Sequence, residues 1–221
     1  MRTVLAIAAC GPRLELALLS PTAPAPGLLA LSGPTPRSEL VMAGIDLLLR
    51  AAGLGQADLD GVVATRGPGS FTGVRVALAT AQGLALALGI PAHGYSSLLA
   101  QAARTEVAGC LAAQPARRGS VYVQAFARAE AGLAAIDAPR VASVATLANA
   151  ELPVVAPPGV ALPPETPIAA ARIGTAEALL ELLAREKHPD PRTLTPLYLE
   201  PPPAVAPGRS APPWPPSQKA S

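Results

Sequence analysis

Aromatic residues, cysteine and histidine are all scarce in this chain. Aromatic side chains make up 3% of its 221 residues, so the core has to be built from Ala, Leu, Val and Ile. Cys10 and Cys110 form no Cys-x-x-Cys pair, and they support neither a disulfide scaffold nor a cysteine zinc site. His93 and His188 lie far apart and lack the spacing of metal ligands, so we predict no metal site.

An excess of one charge and long hydrophobic runs are also missing. The formal net charge is +2 and only 14% of the residues are charged, which predicts no strong electrostatic attraction to nucleic acid. No apolar run reaches the roughly 20 residues that cross a membrane. The apolar stretch at residues 4–7, before Cys10, is too short for a secretory signal. We therefore expect a cytoplasmic protein without a membrane segment.

Half of the residues are hydrophobic, and their arrangement predicts an α/β protein. In the first half we predict strands at residues 3–9, 14–19, 28–31, 61–65 and 91–95. We predict helices at residues 38–52, 72–88 and 96–104. The resulting order, β-β-β-α-β-α-β-α, is typical of an α/β layer with a mixed sheet.

The second half carries weaker signals, and proline accumulates at its end. We predict strands at residues 107–113, 120–127, 133–141 and 152–156, and helices at residues 143–150 and 175–187. The chain then divides into an N-terminal α/β lobe at residues 1–105 and a smaller C-terminal α/β lobe at residues 106–200. Residues 201–221 are dense in proline and lack periodicity, which predicts a disordered tail.

The segment Arg66-Gly-Pro-Gly-Ser-Phe-Thr-Gly-Val-Arg75 joins a predicted strand to a predicted helix. Its glycines permit backbone angles closed to other residues, and Ser70 can cap the helix. The free N–H groups of the first helical turn, together with two arginines, are able to hold an anion. The candidate anion-binding residues are Arg66, Gly67, Gly69, Ser70, Thr72 and Arg75. The alternative is structural: the glycines form a tight turn, and Gly73 lets the helix lie close to the sheet.

Two of the predicted helices are candidates for a protein interface. The helix at residues 38–52 is apolar on more than one stripe, and the helix at residues 72–88 is lined with Ala and Gly. Such helices have to be covered, either by their own sheet alone or by a second chain as well, and both alternatives fit the sequence. The candidate interface residues are Leu40, Val41, Ile45, Leu48, Gly73, Val74, Ala77, Ala81 and Leu84.

Three motifs together resemble the signature of a known family. They are the segment at residues 66–75, Ala79-Thr-Ala-x-Gly-Leu-Ala85 and Gly94-x-Ser-Ser-Leu98. The family that they resemble is TsaB, also called YeaZ, and the match is continuous over residues 58–100. Weaker similarity extends to Leu194-Thr-Pro-Leu-Tyr-Leu199.

The resemblance implies a two-lobed fold related to actin, Hsp70 and sugar kinases (the ASKHA fold), with mixed sheets flanked by helices. It also implies a role in placing threonylcarbamoyl on N6 of adenosine 37 in tRNAs that read ANN codons. In that role TsaB is a non-catalytic scaffold that pairs with the catalytic subunit TsaD through two apolar helices, and the ATPase TsaE joins them. Contact with tRNA is then expected only through the complex.

The chain departs from the family where nucleotide chemistry would be expected. Family members usually carry Asp-Thr-Ser after the first strand, but here the residues are Ala8-Ala9-Cys10. A carboxylate at this place would position metal and water for phosphoryl transfer. Pro157 and Pro158 remove two amide donors from a loop of the second lobe. We therefore predict no catalytic residue, no cofactor and a role in assembly.

Two other functions stay open at the level of the sequence. A self-associating protein would bury the same helix faces in a homodimer. A weak ATPase, or a peptidase that acts on its partner, would need its own catalytic residues. Ser70 is the only tempting nucleophile for a peptidase, and neither histidine has a sequence context that ties it to Ser70.

Overall fold

Two sheets, each of five strands, organise the described part of the chain. The computed structural model describes residues 2–117, 119–130, 132–185 and 194–200. The first sheet contains β1 (Val4–Ala8), β2 (Leu14–Leu19), β3 (Gly27–Leu31), β4 (Gly61–Thr65) and β5 (Ala92–Tyr95), in the order β3-β2-β1-β4-β5. β1, β4 and β5 are parallel, whereas β2 is antiparallel to both β1 and β3. The sheet is therefore mixed, as predicted.

The second sheet contains β6 (Gly109–Pro115), β7 (Ser120–Ala129), β8 (Gly132–Ala135), β9 (Arg140–Ser143) and β10 (Val154–Val155). β6 and β7 are antiparallel, and the short β10 runs parallel to β6 at one edge. β8 pairs with the end of β7 and β9 pairs with its beginning. The strand expected within residues 133–141 is found as β8, and β9 begins at the end of that range, since the chain leaves one end of β7 and rejoins the other.

Among the described residues, four α-helices flank the sheets: α1 (Arg37–Ala51), α2 (Phe71–Leu88), α3 (Ser97–Ala103) and α4 (Thr175–Arg185). The predicted order of the first half, β-β-β-α-β-α-β-α, is confirmed. The helix predicted at residues 143–150 is a 3-10 helix, Val144–Asn149, and a second 3-10 helix lies at Gln56–Asp58. Residues 186–187 of the last predicted helix and the predicted tail at residues 201–221 lie outside the described residues.

Both faces of the first sheet are buried. Leu5 and Ile7 of β1 face the core under α1 and α2, whereas Val4, Ala6 and Ala8 face the core under α4. Burial on both faces explains why β1 and β4 are apolar runs without polar alternation. Because α4 packs on β1, β2 and β4, the chain returns to the first lobe after building the second sheet. The predicted second lobe at residues 106–200 thus includes a helix that lies on the first sheet.

The start of α2 lies close to the end of β1. A Cβ atom added to Gly73 would stand 1.9 Å from the carbonyl oxygen of Ala9, a distance that no side chain can tolerate. The structural role predicted for Gly73, close packing of the helix against the sheet, is confirmed. Gly83 of the same helix has no atom within 4 Å of the corresponding position, so it faces away from the sheet.

We expect Gly73→Ala to destabilise the protein by about 2 kcal/mol or more, because its methyl group overlaps backbone at the end of β1. Gly83→Ala is the matched control: alanine is better than glycine at an exposed helical position, by up to about 1 kcal/mol. Urea unfolding of both variants measures the difference. A Gly73→Ala midpoint equal to that of the wild type would show that α2 is free to move away from β1.

Candidate functional site

Both glycines of the loop between β4 and α2 are needed for its shape. Gly67 has a φ of +102° and Gly69 a φ of +150°, in the region that favours glycine. A Cβ on Gly67 would stand 2.5 Å from the carbonyl oxygen of Leu197, and one on Gly69 would stand 2.5 Å from that of Cys10. Ser70 caps α2, because its hydroxyl accepts a hydrogen bond from the N–H of Gly73 at 3.2 Å. The predicted turn and cap are confirmed.

Backbone hydrogen bonds fix this loop to three other segments. The N–H of Ser70 donates to the carbonyl of Cys10 at 3.0 Å. The carbonyl of Gly67 accepts from the N–H of Ser97 at 2.7 Å, at the start of α3. The carbonyl of Arg66 accepts from the N–H of Leu197 at 2.7 Å. The loop therefore joins the end of β1, the start of α3 and the C-terminal segment at residues 194–200.

The two arginines that flank the loop make structural contacts. The guanidinium carbon of Arg75 lies 4.0 Å from the centre of the Phe71 ring, and the Phe71 ring packs on Tyr198 with 5.3 Å between centroids. Arg66 donates a hydrogen bond to the carbonyl of Thr195 at 3.5 Å. These contacts hold the C-terminal segment against the loop and α2. Binding of an anion by the loop stays a prediction.

A cleft of about 570 Å³ opens between the two lobes, beside the loop. Its walls come from the turn after β1, the start of α1, the loop itself, the β6–β7 turn and the C-terminal segment. Arg37 donates from Nη2 to the carbonyl of Gly11 at 2.6 Å, while its buried Nε has no hydrogen-bond partner among the described residues. The hydroxyl of Tyr122 donates to the Glu200 carboxylate at 2.7 Å. This volume suffices for a small organic ligand.

Neutral side chains follow β1 where the family usually carries a carboxylate. Cys10 lines the cleft, and its Sγ lies 3.1 Å from the hydroxyl oxygen of Thr65. Burial raises the pKa of the Cys10 thiol to about 11, and it raises the pKa of the buried Cys110 thiol to about 11 as well. Both cysteines are free. The thiol of Cys10 is therefore protonated at neutral pH and carries no charge into the cleft.

A buried polar network adjoins the cleft, and the sequence analysis missed it. The Glu15 carboxylate accepts hydrogen bonds from the N–H and the hydroxyl of Thr175 at 2.6 and 3.1 Å, and from Arg13 at 2.9 Å. The side-chain amide of Gln101 donates to the Thr175 hydroxyl at 3.2 Å and accepts from Arg104 at 2.5 Å. The network thereby connects β2, α3 and α4. One signal was available, since Glu15 is the single charge within an apolar strand.

Arg104 carries this network into the second lobe. Its side chain donates to the carbonyls of Ile173 and Ala156, at 3.0 Å each, and the residue is only 4% exposed. Burial lowers the pKa of Arg104, and the charge of Glu15 acts in the opposite direction. A buried guanidinium with its donors satisfied by carbonyls is a strong positional constraint. Arg104 therefore fixes the segments around residues 156 and 173 against α3.

The outer sides of α1 and α2 are not covered by any described residue of this chain. Of the nine predicted interface residues, eight are buried against the chain's own sheets and Leu40 is half-buried. These side chains belong to the core, because regularly spaced apolar residues mark the side of a helix that packs on its own sheet. The exposed residues of the two helices include Met42, Ala43, Leu47, Thr72, Ala79, Gly83, Leu86 and Ala87. Any partner on these helices meets this second set.

α2 is also the one helix in the described part of the chain that is long and apolar enough to cross a membrane, judged by length and composition alone. Its mean hydropathy is 1.4 over 18 residues, and 33% of that stretch is buried inside the protein. The core helices of soluble proteins satisfy the same criterion, so it is a weak indication of a membrane span. In this chain the inner side of α2 packs on β1, β4 and β5.

Ser70 and His93 line different cavities, at opposite ends of the first sheet. The other histidine, His188, lies outside the described residues. Within the ranges that the structure describes, no group of three or more His, Cys, Asp and Glu side chains is placed to hold a metal ion.

Two α/β lobes with a cleft between them, and a glycine loop that starts a helix at the edge of the cleft, define the two-lobed fold of actin, Hsp70 and sugar kinases. A YeaZ structure from Pseudomonas aeruginosa shares this fold with a TM-score of 0.67 and 26% identity, covering 90% of this chain and 100% of that one. A sequence model described as "TsaD: tRNA N6-adenosine threonylcarbamoyltransferase" matches residues 36–170, more than half of the chain. The chain belongs to this family.

Other relatives point to the TsaB branch. The "tRNA threonylcarbamoyladenosine biosynthesis protein TsaB" of Escherichia coli K12 is 35% identical over 104 residues, or 45% of each chain. The protein of the same name from Haemophilus influenzae is 38% identical over 95 residues, covering 41% of this chain and 40% of that one. The matches thus span less than half the length of these relatives. The resemblance to TsaB, or YeaZ, is confirmed.

We expect Arg104→Met to destabilise the protein by about 3 kcal/mol, because it leaves the carbonyls of Ile173 and Ala156 and the amide of Gln101 without their donor. Arg172→Met is the control: Arg172 makes exposed ion pairs with Glu106 and Glu181, so its loss should cost no more than about 1 kcal/mol. Chemical denaturation measures both. Equal losses in the two variants would contradict the role given to Arg104.

We expect both thiols to resist alkylation by iodoacetamide at pH 8 while the protein is folded. Cys10 and Cys110 are buried, and because their pKa is about 11 the reactive thiolate is rare at this pH. Both should react in urea, which mass spectrometry will show. Rapid modification of Cys10 in the folded protein would mean that the lobes separate beside the cleft.

Proposed function

We propose that this chain is a non-catalytic accessory subunit that pairs with TsaD for threonylcarbamoyl transfer to N6 of adenosine 37 in ANN-decoding tRNAs. The observation that carries the proposal is the uncovered apolar side of α1 and α2. The names of the TsaB relatives support the pathway, because both refer to threonylcarbamoyladenosine biosynthesis.

Large apolar side chains lie on this outer side, and none of the described residues covers them. Met42 is 43% exposed, Leu47 is 57% exposed and Leu86 is 88% exposed. Exposed apolar area costs free energy in water, and a contiguous patch of it is typical of a protein interface. Asp46 and Arg50 form an exposed ion pair on α1, the kind of polar group found at an interface rim.

Small residues allow another helix to come close to α2. Ala79, Gly83 and Ala87 follow one another at intervals of four, so they lie on one stripe of the helix, and all three are exposed. The distance between packed helices depends on the side chains at the contact, and small ones permit the closest approach. A helix pair from a partner therefore fits against α2, with Leu86 as an apolar anchor at the end of the stripe.

A relative with the same fold is the partner that suits this surface. A member of the same family carries equivalent helices, so the two pairs can pack as a bundle around an approximate two-fold axis. A homodimer would use the same residues and is the competing arrangement. We expect TsaE to join the assembled pair, and with a net charge of only +2 we expect tRNA to be held by the complex rather than by this chain alone.

The residues after β1 support a role without catalysis. Ala8 and Cys10 supply a methyl group and an uncharged thiol where phosphoryl-transfer chemistry in this fold would use a carboxylate. Ser70 uses its hydroxyl oxygen to cap α2. The family motifs that the chain retains lie at residues 66–85, and they build α2 and the loop before it.

Leu86→Glu should weaken association with purified TsaD at least roughly tenfold, because the interface would bury an unpaired carboxylate. The fold should be unaffected, since Leu86 is 88% exposed. Ile168→Glu is the matched control, because Ile168 is 59% exposed but lies next to β10 of the second sheet. Sedimentation velocity measures association, and circular dichroism checks folding.

Three outcomes would reject parts of the proposal. Self-association that Leu86→Glu abolishes, with no binding to TsaD, would establish the homodimer instead. Equal binding by Leu86→Glu and the wild type would move the interface away from α2. ATP hydrolysis by the purified chain alone would reject the non-catalytic role.

A further inference from the structure

A second cavity, of about 320 Å³, lies at the opposite end of the first sheet from the cleft. It is formed where β1, β4 and β5 begin, whereas the cleft lies where β1 and β4 end. Its inner wall is apolar and is built from Val4, Leu19, Leu180 and Leu183, the last two from α4. No step of the proposed function uses this cavity.

A buried histidine in this cavity has an unused hydrogen-bonding group. His93 lines the cavity and is 9% exposed, and its Nδ1 is buried without a hydrogen-bond partner in the described parts of the chain. A buried polar atom without a partner costs about 1–3 kcal/mol. Buried polar atoms in folded proteins almost always have a partner, so the lone Nδ1 needs one from outside the described residues.

Two opposite charges stand at the mouth of the same cavity. Arg2 and Asp60 both line it and both are exposed. One carboxylate oxygen of Asp60 accepts a hydrogen bond from the N–H of Thr3 at 2.7 Å, which fixes the orientation of the carboxyl group. Neither Arg2 nor Asp60 forms an ion pair with a described residue. The mouth therefore offers one positive and one negative group above an apolar wall.

We propose that this cavity binds a free α-amino acid with an aliphatic side chain. Its ammonium group pairs with Asp60 and its carboxylate pairs with Arg2, since both are charge-assisted hydrogen bonds. The aliphatic side chain lies along Val4, Leu19 and Leu180, with His93 in the same wall. A ligand with only one of the two charges leaves either Asp60 or Arg2 unpaired, so the cavity distinguishes a zwitterion from a simple acid or amine.

Three probes with the same isobutyl side chain test this assignment: L-leucine, 4-methylpentanoate, which lacks the ammonium group, and isopentylamine, which lacks the carboxylate. Each is titrated into the full chain and followed by calorimetry and by the imidazole signals in NMR spectra. We expect L-leucine to bind roughly tenfold more tightly than either analogue, with shifts of the His93 resonances.

Asp60→Asn should weaken L-leucine binding about tenfold and leave the affinity for 4-methylpentanoate unchanged or higher. Asparagine keeps an oxygen for the N–H of Thr3, so the fold is preserved. Asp58→Asn is the matched control: Asp58 is an exposed acid two positions earlier, whose carboxylate accepts from the N–H of Gly55 rather than lining the cavity. It should bind L-leucine like the wild type.

Three results would overturn the proposal. They are no detectable binding of L-leucine at about 10 mM, equal affinity for all three probes, and an unchanged L-leucine affinity in Asp60→Asn. The experiments use this chain without TsaD, so their failure is distinct from a failure of the proposed pairing.

Discussion

The first turn of α2 lies against the end of β1 at a distance that only glycine allows. Gly73 meets the carbonyl of Ala9, and Gly69 meets the backbone of Cys10, so the loop cannot be displaced without moving β1. From this contact the loop extends by hydrogen bonds to α3 and to the C-terminal segment. The positions of α2, of its exposed side and of one wall of the cleft all follow from it.

The second constraint is the charge buried between the lobes. An arginine that is 4% exposed has to find acceptors, and Arg104 finds them in carbonyls from two separate segments of the second lobe. Glu15 binds the first turn of α4 in the same network. These bonds hold the lobes together beside the cleft, in addition to the apolar contact of α3 with β6 and β7.

Local patterns in the sequence predicted the elements of the first lobe, because apolar runs bounded by Gly and Pro identify strands and because Gly67, Gly69 and Ser70 mark a turn and a cap. The uncovered helix surface was not predictable in this way. Periodicity picks out Val41, Ile45 and Ala81 as apolar, and those side chains meet their own sheet. The residues left outside, such as Leu86 and Gly83, break the expected polar pattern of a surface helix, and only the packing shows them exposed. Glu15 and Thr175 are 160 positions apart, so no local pattern links them.

The C-terminal segment at residues 194–200 connects the uncovered side of α2 to the cleft. Gln82, an exposed residue of α2, donates to the carbonyl of Leu194 at 3.1 Å, and Phe71 packs on Tyr198. The same segment then crosses to the second lobe, where Glu200 accepts from Tyr122. A molecule that packs on α2 therefore adjoins a segment that spans both lobes. Because this segment also lines the cleft, the exposed side of α2 and the wall of the cleft share one stretch of chain.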